Sequence, residues 1–181
     1  MTDKHRINRV ITRSGDQGET GLADGSRPAK DAAVIEAMGA VDELSAHLGL
    51  LRVQVSEAHS ALLETVQQRL FEVGAELAVP GTTRLLDEDV LALEAVADSM
   101  NAELPPLKEF VLAGGHPAAA QCHLCRTVAR RAERRLVSAQ RQQSGNPVSL
   151  RYLNRLSDML FLLARTLNRE QGVAESQWLP R

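Results

Sequence analysis

Residues 12–30, Thr-Arg-Ser-Gly-Asp-Gln-Gly-Glu-Thr-Gly-Leu-Ala-Asp-Gly-Ser-Arg-Pro-Ala-Lys, gather glycines, hydroxyls and cations ahead of any helical pattern. Gly15, Gly18, Gly21 and Gly25 permit positive φ and bring backbone N–H groups close to an anion. Thr12, Ser14 and Thr20 add hydroxyl donors, and Arg13, Arg27 and Lys30 add charge. The chemistry on offer is polyphosphate binding. No Gly-Lys-Ser/Thr follows the glycines, so this is not a Walker A loop, and a surface tail of the same composition is the alternative.

A second constellation is Arg126-Thr-Val-Ala-Arg130-Arg131-Ala-Glu133-Arg134-Arg135, with Arg141 beyond it. Arg126, Arg130, Glu133 and Arg134 fall at i, i+4, i+7 and i+8, on one helical face beside an apolar stripe. Such a face is either a solvated or intersubunit ion-pair surface, or an anion clamp in which the carboxylate orients the guanidinium groups. Nucleic acid fits less well. No aromatic residues interleave for base stacking, and the chain as a whole carries a net charge of −2. Lysine is confined to Lys4, Lys30 and Lys108, so bidentate arginine chemistry dominates the cations.

Other polar groups interrupt leucine stripes. Arg151, Asn154, Arg155 and Asp158 read either as interhelical bonds that set register or, at Asn154, as a ligand contact. Asp42-Glu43 breaks an earlier stripe, where an acid is well placed to pair with an arginine of the 126–135 run. His47 reads as an ordinary histidine, because the Glu-x-x-His pairs of a di-metal bundle are absent. Cys122 and Cys125 form one pair with no second to complete a zinc site, so they read as packed thiols. Phe110, just ahead of Gly114-Gly115, can either hold its ring against a flat cofactor or cap the core.

Helices must position these groups. With 44% hydrophobic residues but only three Phe, one Tyr and one Trp, the core is built from Leu, Val and Ala, which suits helix packed on helix. Helical period recurs in five stretches, at about 30–56, 58–79, 87–103, 118–143 and 148–170. Pro80-Gly81, Pro105-Pro106, Ser144-Gly145-Asn146-Pro147 and Gly172 punctuate them, and Asp87 is the candidate N-cap of the third. The expected fold class is all-α, an up-and-down five-helix bundle, in one domain over residues 1–181. The charged N-terminus leads into no apolar run, and no stretch nears the ~18–20 apolar residues of a membrane span. A cytoplasmic protein without membrane or nucleic-acid partners is the expectation.

Five blocks together carry a resemblance. They are residues 12–22, Ala-Val-Asp-Glu-Leu-Ser at 40–45, Phe-Val-Leu-Ala-Gly-Gly at 110–115, Cys-Arg-Thr-Val-Ala-Arg-Arg-Ala-Glu-Arg-Arg at 125–135 and Tyr-Leu-Asn-Arg-Leu-Ser-Asp at 152–158. In that order they closely resemble the PduO-type ATP:cob(I)alamin adenosyltransferases. Arg13 and Gln17 stand where lysine is frequent in that family, and Gly21 where a second small hydroxyl can occur. The resemblance implies transfer of the 5′-deoxyadenosyl group of ATP to Co(I) of cobalamin, with Mg²⁺, in a homotrimer whose sites lie between subunits. It further implies residues 1–29 as a glycine-rich N-terminal nucleotide-binding segment, 30–170 as the bundle and 171–181 as a tail.

By the same resemblance, Thr12, Arg13, Ser14, Gly15, Thr20, Gly21 and Lys30 bind ATP, joined by Arg130, Arg131, Glu133, Arg134 and Asn154 from the later helices. Asp42 and Arg126 match a pair that holds the subunit interface and active site together. Phe110 matches the aromatic residue against the lower corrin face. Delivery of product to adenosylcobalamin-dependent enzymes is a further implied partnership. The rival reading is a non-catalytic bundle that binds nucleotide or nucleic acid through its arginine stripe.

Overall fold

The structure, a computed structural model, describes residues 11 and 13–179. Among them five helices follow in order: α1 (Ala33–Arg52), α2 (Glu57–Ala78), α3 (Asp87–Glu103), α4 (Pro117–Gln140) and α5 (Pro147–Glu170). Each lies where its apolar period predicts, although α1 is shorter at both ends than the expected 30–56. Val55 still packs against the core, from the turn that follows α1 rather than from the helix.

Local chemistry explains the boundaries. Ser56 caps α2 by accepting the His59 N–H at 3.4 Å, and Asn146 caps α5 by accepting the Val148 N–H at 3.0 Å. Pro117 and Pro147 occupy first-turn positions, where an N–H has no intrahelical partner in any case. Gly172, at φ 64, ends α5. The start of α3 departs from expectation: Leu86, not Asp87, is the N-cap residue. Asp89 reaches back to accept the Leu86 N–H at 2.9 Å, so the end is satisfied without a polar cap, and Asp87 pairs with Arg151 of α5.

Side-chain bonds fix the helix directions. Arg52, at the end of α1, reaches Gln67 and Glu64 of α2, while Glu36 and Glu43 of α1 meet Arg135 and Arg131 of α4. His59 near the start of α2 meets Glu170 at the end of α5, and Glu76 near the end of α2 meets Ser149 at the start of α5. Asp87 and Glu103, at opposite ends of α3, meet Arg151 and Arg169 of α5 in the same sense. Thus α1 is antiparallel to α2 and α4, α2 is antiparallel to α5, and α3 runs parallel to α5. This is the up-and-down order the short connections predict. On α4, Ala118, Ala119, Ala129 and Ala132 are buried, and such small side chains let α1 and α5 approach closely on either side.

One buried polar cluster had no sequence signal. Glu76 accepts the N–H groups of Arg84 and Leu85 at 2.6 and 2.9 Å and the Asn146 side-chain amide at 2.8 Å, and its second oxygen accepts the Ser149 hydroxyl. It therefore pins the α2–α3 connection to the start of α5. Replacing Glu76 with Ala strands these donors in a dry site, and the expected loss is roughly 3 kcal/mol, or about 10 °C in thermal midpoint. Differential scanning calorimetry checks this; a midpoint unchanged from the parent refutes the role.

Candidate functional site

The N-terminal segment doubles back on itself. The Lys30, Thr20 and Leu22 N–H groups donate to the carbonyls of Gly18, Pro28 and Ser26 at 2.8, 3.0 and 2.9 Å, forming a short antiparallel hairpin. Asp24 ties its tip by accepting the Ser26 hydroxyl and N–H, and those bonds hold its carboxyl below the usual range. Of the four glycines expected at positive φ, Gly18 and Gly25 adopt it, at 87 and 88°. Arg13 is also left-handed, at φ 58. Gly15 is closely approached instead: a Cβ there would stand 3.1 Å from Cε and Nζ of Lys30 and 3.2 Å from the Glu19 carbonyl. Arg27 is held by the Ser14 carbonyl at 2.8 Å and by Glu19 at 3.6 Å, so it braces the hairpin. Thr12 lies outside the described residues.

The hairpin borders two adjoining concavities. A polar groove of about 590 Å³ is lined by Thr20, Lys30, Glu36, Glu43, Arg131 and Arg135. Glu43 pairs with Arg131, and Glu36 lies 3.5 Å from Arg135, so two carboxylates of α1 orient two guanidinium groups of α4. Beside it a mostly apolar pocket of about 560 Å³ opens between α1 and α2, with Thr20, Gly21, Met38, Asp42, Phe71 and Gly74 in its wall. Phe71 is 71% exposed there, a large ring left uncovered.

The remaining predicted residues sit elsewhere. Arg130 and Arg134 are exposed on α4, and the Arg134 guanidinium donates to the Arg130 carbonyl at 2.9 Å. Glu133 accepts from the Asn154 side-chain amide at 3.4 Å, which joins α4 to α5 in a second cluster. Arg151 and Arg155 pair with Asp87 and Glu94, so this part of the polar break in α5 sets register against α3. Asp42 makes no ion pair with Arg126 among the described residues, and the buried Nε of Arg126 has no hydrogen-bond partner. The earlier alternative of a within-chain pair with the arginine run is met by Glu43, through Arg131, rather than by Asp42.

Phe110 is 77% exposed in the α3–α4 connection. That connection lies at the opposite end of α4 from Arg131 and Arg135, with about 20 Å of helix between Pro117 and Arg131. Within one chain, then, the cationic groove and the exposed ring do not converge.

Burial pushes the Cys125 thiol up to about 12 and the Cys122 thiol well above its usual value. Both therefore stay protonated as packed thiols, and Cys122 donates to the Leu160 carbonyl at 3.2 Å. Burial, together with the Arg126 charge, lowers His123, with Glu175 opposing. His47 is half-buried, with Nδ1 3.3 Å from the Gln121 amide. No group of three or more His, Cys, Asp or Glu side chains suited to a metal occurs among the described residues. None of their helices is long and apolar enough to cross a membrane.

Sequence reasoning did not single out Arg135, Glu36 or Glu43 as walls of the groove. Their spacings, seven apart on α1 and four apart on α4, were a legible signal of facing charge, but not of which helices would meet.

Comparison with known proteins gives a consistent answer. The family model described as cobalamin adenosyltransferase matches residues 10–167. A cobalamin adenosyltransferase of Cupriavidus metallidurans is 47% identical over 176 residues, covering 96% of each chain. A corrinoid adenosyltransferase of Bacillus subtilis is 39% identical, covering 94% of this chain and 92% of the relative. Among solved structures, a variant PduO-type ATP:corrinoid adenosyltransferase from Lactobacillus reuteri, complexed with cobalamin and ATP, superimposes with a TM-score of 0.91 at 30% identity. That superposition covers 95% of this chain and 100% of the other. A match that spans residues 10–167, from ahead of the hairpin into α5, leaves one assignment: the chain belongs to the cobalamin adenosyltransferase family.

Proposed function

We infer that this protein transfers the 5′-deoxyadenosyl group of ATP to Co(I) of reduced cobalamin, releasing triphosphate. The observation that carries this reading is the groove in which the glycine-bearing hairpin and the α4 guanidinium groups converge, in a chain similar over its whole length to enzymes of that activity. Co(I) is itself a strong nucleophile, so the protein needs no activated serine, cysteine or histidine. It must hold C5′ in line with cobalt and stabilise charge that grows on the leaving triphosphate. Lys30, Arg131, Arg130 and Arg134, with N–H and hydroxyl donors from Arg13, Ser14, Gly15, Thr20 and Gly21, are suited to the second task. Glu133 and Asn154, already hydrogen-bonded to one another, offer an acceptor and a donor to the nucleoside.

Mg²⁺ is read as entering with the nucleotide. The groove carboxylates, Glu36 and Glu43, are engaged by Arg135 and Arg131, which leaves triphosphate oxygens as the main ligands for a hard cation. When bound, the ion neutralises part of the charge on the leaving group.

A homotrimer with sites between subunits explains why hairpin and Phe110 stand at opposite ends of one chain. It also gives Asp42, Arg126 and the uncovered Phe71 a neighbour to face. Asp42→Asn is expected to weaken assembly or raise KM for cobalamin, read by sedimentation velocity and steady-state kinetics; if both stay at parental values, the cross-subunit pairing with Arg126 is wrong. A cytoplasmic location and delivery of adenosylcobalamin to dependent enzymes belong to the same reading.

The direct test mixes protein, Mg²⁺, ATP and chemically reduced cobalamin and follows the corrin absorbance. Light-sensitive adenosylcobalamin together with inorganic triphosphate is the expected product. Salt-sensitive oligonucleotide binding without turnover would instead favour a non-catalytic arginine-stripe protein.

A further inference from the structure

The connection that carries Phe110 is held from both sides by α5. At its far end, Asn168 accepts the His116 N–H at 2.9 Å and donates to the Gly114 carbonyl at 3.2 Å. Gly115, at φ 98, lies so close against that side chain that no Cβ would fit. At the near end, the C-terminal tail pairs with Phe110–Leu112: the Leu112 N–H donates to the Ser176 carbonyl at 2.8 Å, and the Trp178 N–H donates to the Phe110 carbonyl at 2.7 Å.

A ladder this short is marginal by itself. What anchors it is Glu175, next to Ser176, whose carboxylate takes Nε of Arg165 at 3.1 Å. The Arg165 side chain is only 4% exposed and also donates to the Pro105 carbonyl at 2.9 Å. One buried guanidinium therefore ties together α5, the start of the Phe110 connection and the tail. The other Glu175 oxygen is buried without a hydrogen-bond partner, so among the described residues Arg165 alone holds that carboxylate. Buried ion pairs contribute little net stability once desolvation is counted, and their best-attested value is to specify geometry.

We propose that Glu175 is a positioning residue for the corrinoid step: clamped by Arg165, it sets the register in which the tail presents Phe110. The proposal rests on the reading of Phe110 as the ring against the corrin.

The test uses the full chain loaded with ATP and Mg²⁺, adds cob(II)alamin, and measures the four-coordinate Co(II) fraction by electron paramagnetic resonance beside KM for ATP. Glu175→Gln weakens the clamp, Trp178→Pro deletes the N–H bond to Phe110, and Trp178→Ala keeps that bond. Glu175→Gln and Trp178→Pro are each expected to cut the four-coordinate fraction about fivefold, the scale of one lost hydrogen bond, with KM for ATP within about twofold. Trp178→Ala is expected to retain it. If Glu175→Gln does not fold, Trp178→Pro, in the exposed tail, carries the test alone. A parental signal in either Glu175→Gln or Trp178→Pro while Phe110→Ala loses its signal would overturn the proposal, as would equal losses in Trp178→Pro and Trp178→Ala. A parental signal in Phe110→Ala would instead sink the reading beneath it.

Discussion

Arg130→Ala is expected to lower kcat/KM by roughly 100- to 1000-fold, the loss typical of removing one donor aimed at charge that forms in a transition state. The guanidinium is exposed and makes no ion pair with another described residue of its own chain, so truncation removes nothing the bundle depends on. Thermal stability should stay within about 0.5 kcal/mol of the parent, as for other surface substitutions away from special features. That separation makes the experiment informative, because a loss of turnover in a folded and normally assembled protein is a loss of the guanidinium's action on the ligand rather than of the bundle. Arg131 is a poorer probe, since its pairing with Glu43 also ties α1 to α4. Steady-state kinetics with ATP and chemically reduced cobalamin give the answer, and near-normal values would remove Arg130 from the mechanism.

The second large effect is expected at Phe110. A ring that is 77% exposed adds little to the core, so Phe110→Ala should fold normally and bind ATP with KM close to the parent. Formation of four-coordinate Co(II), and with it reduction to Co(I), should fall on the order of tenfold or more, as when an aromatic anchor is cut from the centre of a contact. The physical cause is exclusion. A ring packed against the lower corrin face keeps out both water and the lower axial ligand, and cobalt without axial ligands accepts an electron more easily. Supplying Co(I) directly should therefore restore part of the lost rate. An unchanged four-coordinate spectrum in Phe110→Ala would show that the ring does something else.

The two variants probe places separated by about 20 Å of α4. On the proposed reading Arg130 serves the triphosphate and Phe110 the corrin, and in a site completed by neighbouring copies, defects at the two should be separable. Subunits carrying only Arg130→Ala mixed with subunits carrying only Phe110→Ala would then form some junctions with both residues intact.

The positions of the five helices were legible in the sequence because helical period is a local property, visible wherever Leu, Val and Ala recur every three or four residues. Proline and glycine breaks are equally local, and so is the shared face of Arg126, Arg130, Glu133 and Arg134. The glycine-bearing segment could be read as a candidate for phosphate binding but not as a hairpin, because its bonds from Lys30 to Gly18 and from Thr20 to Pro28 follow no periodic pattern. Which residue capped α3 depended on Asp89 reaching back to Leu86, a contest between neighbouring carboxylates that composition does not decide.

Partners distant along the chain were decided by the tertiary structure alone. Glu76 and Ser149 are 73 residues apart, and nothing local in either stretch names the other. The same holds for Arg165, which selects Glu175 and the Pro105 carbonyl, and for Arg131, which selects Glu43 and leaves Asp42 at the open pocket. Local free-energy preferences choose where each helix forms, whereas close packing of whole helices chooses which faces meet. The chemistry the residues could perform was therefore written along the chain, and its division between two ends of the molecule arose only when the helices packed.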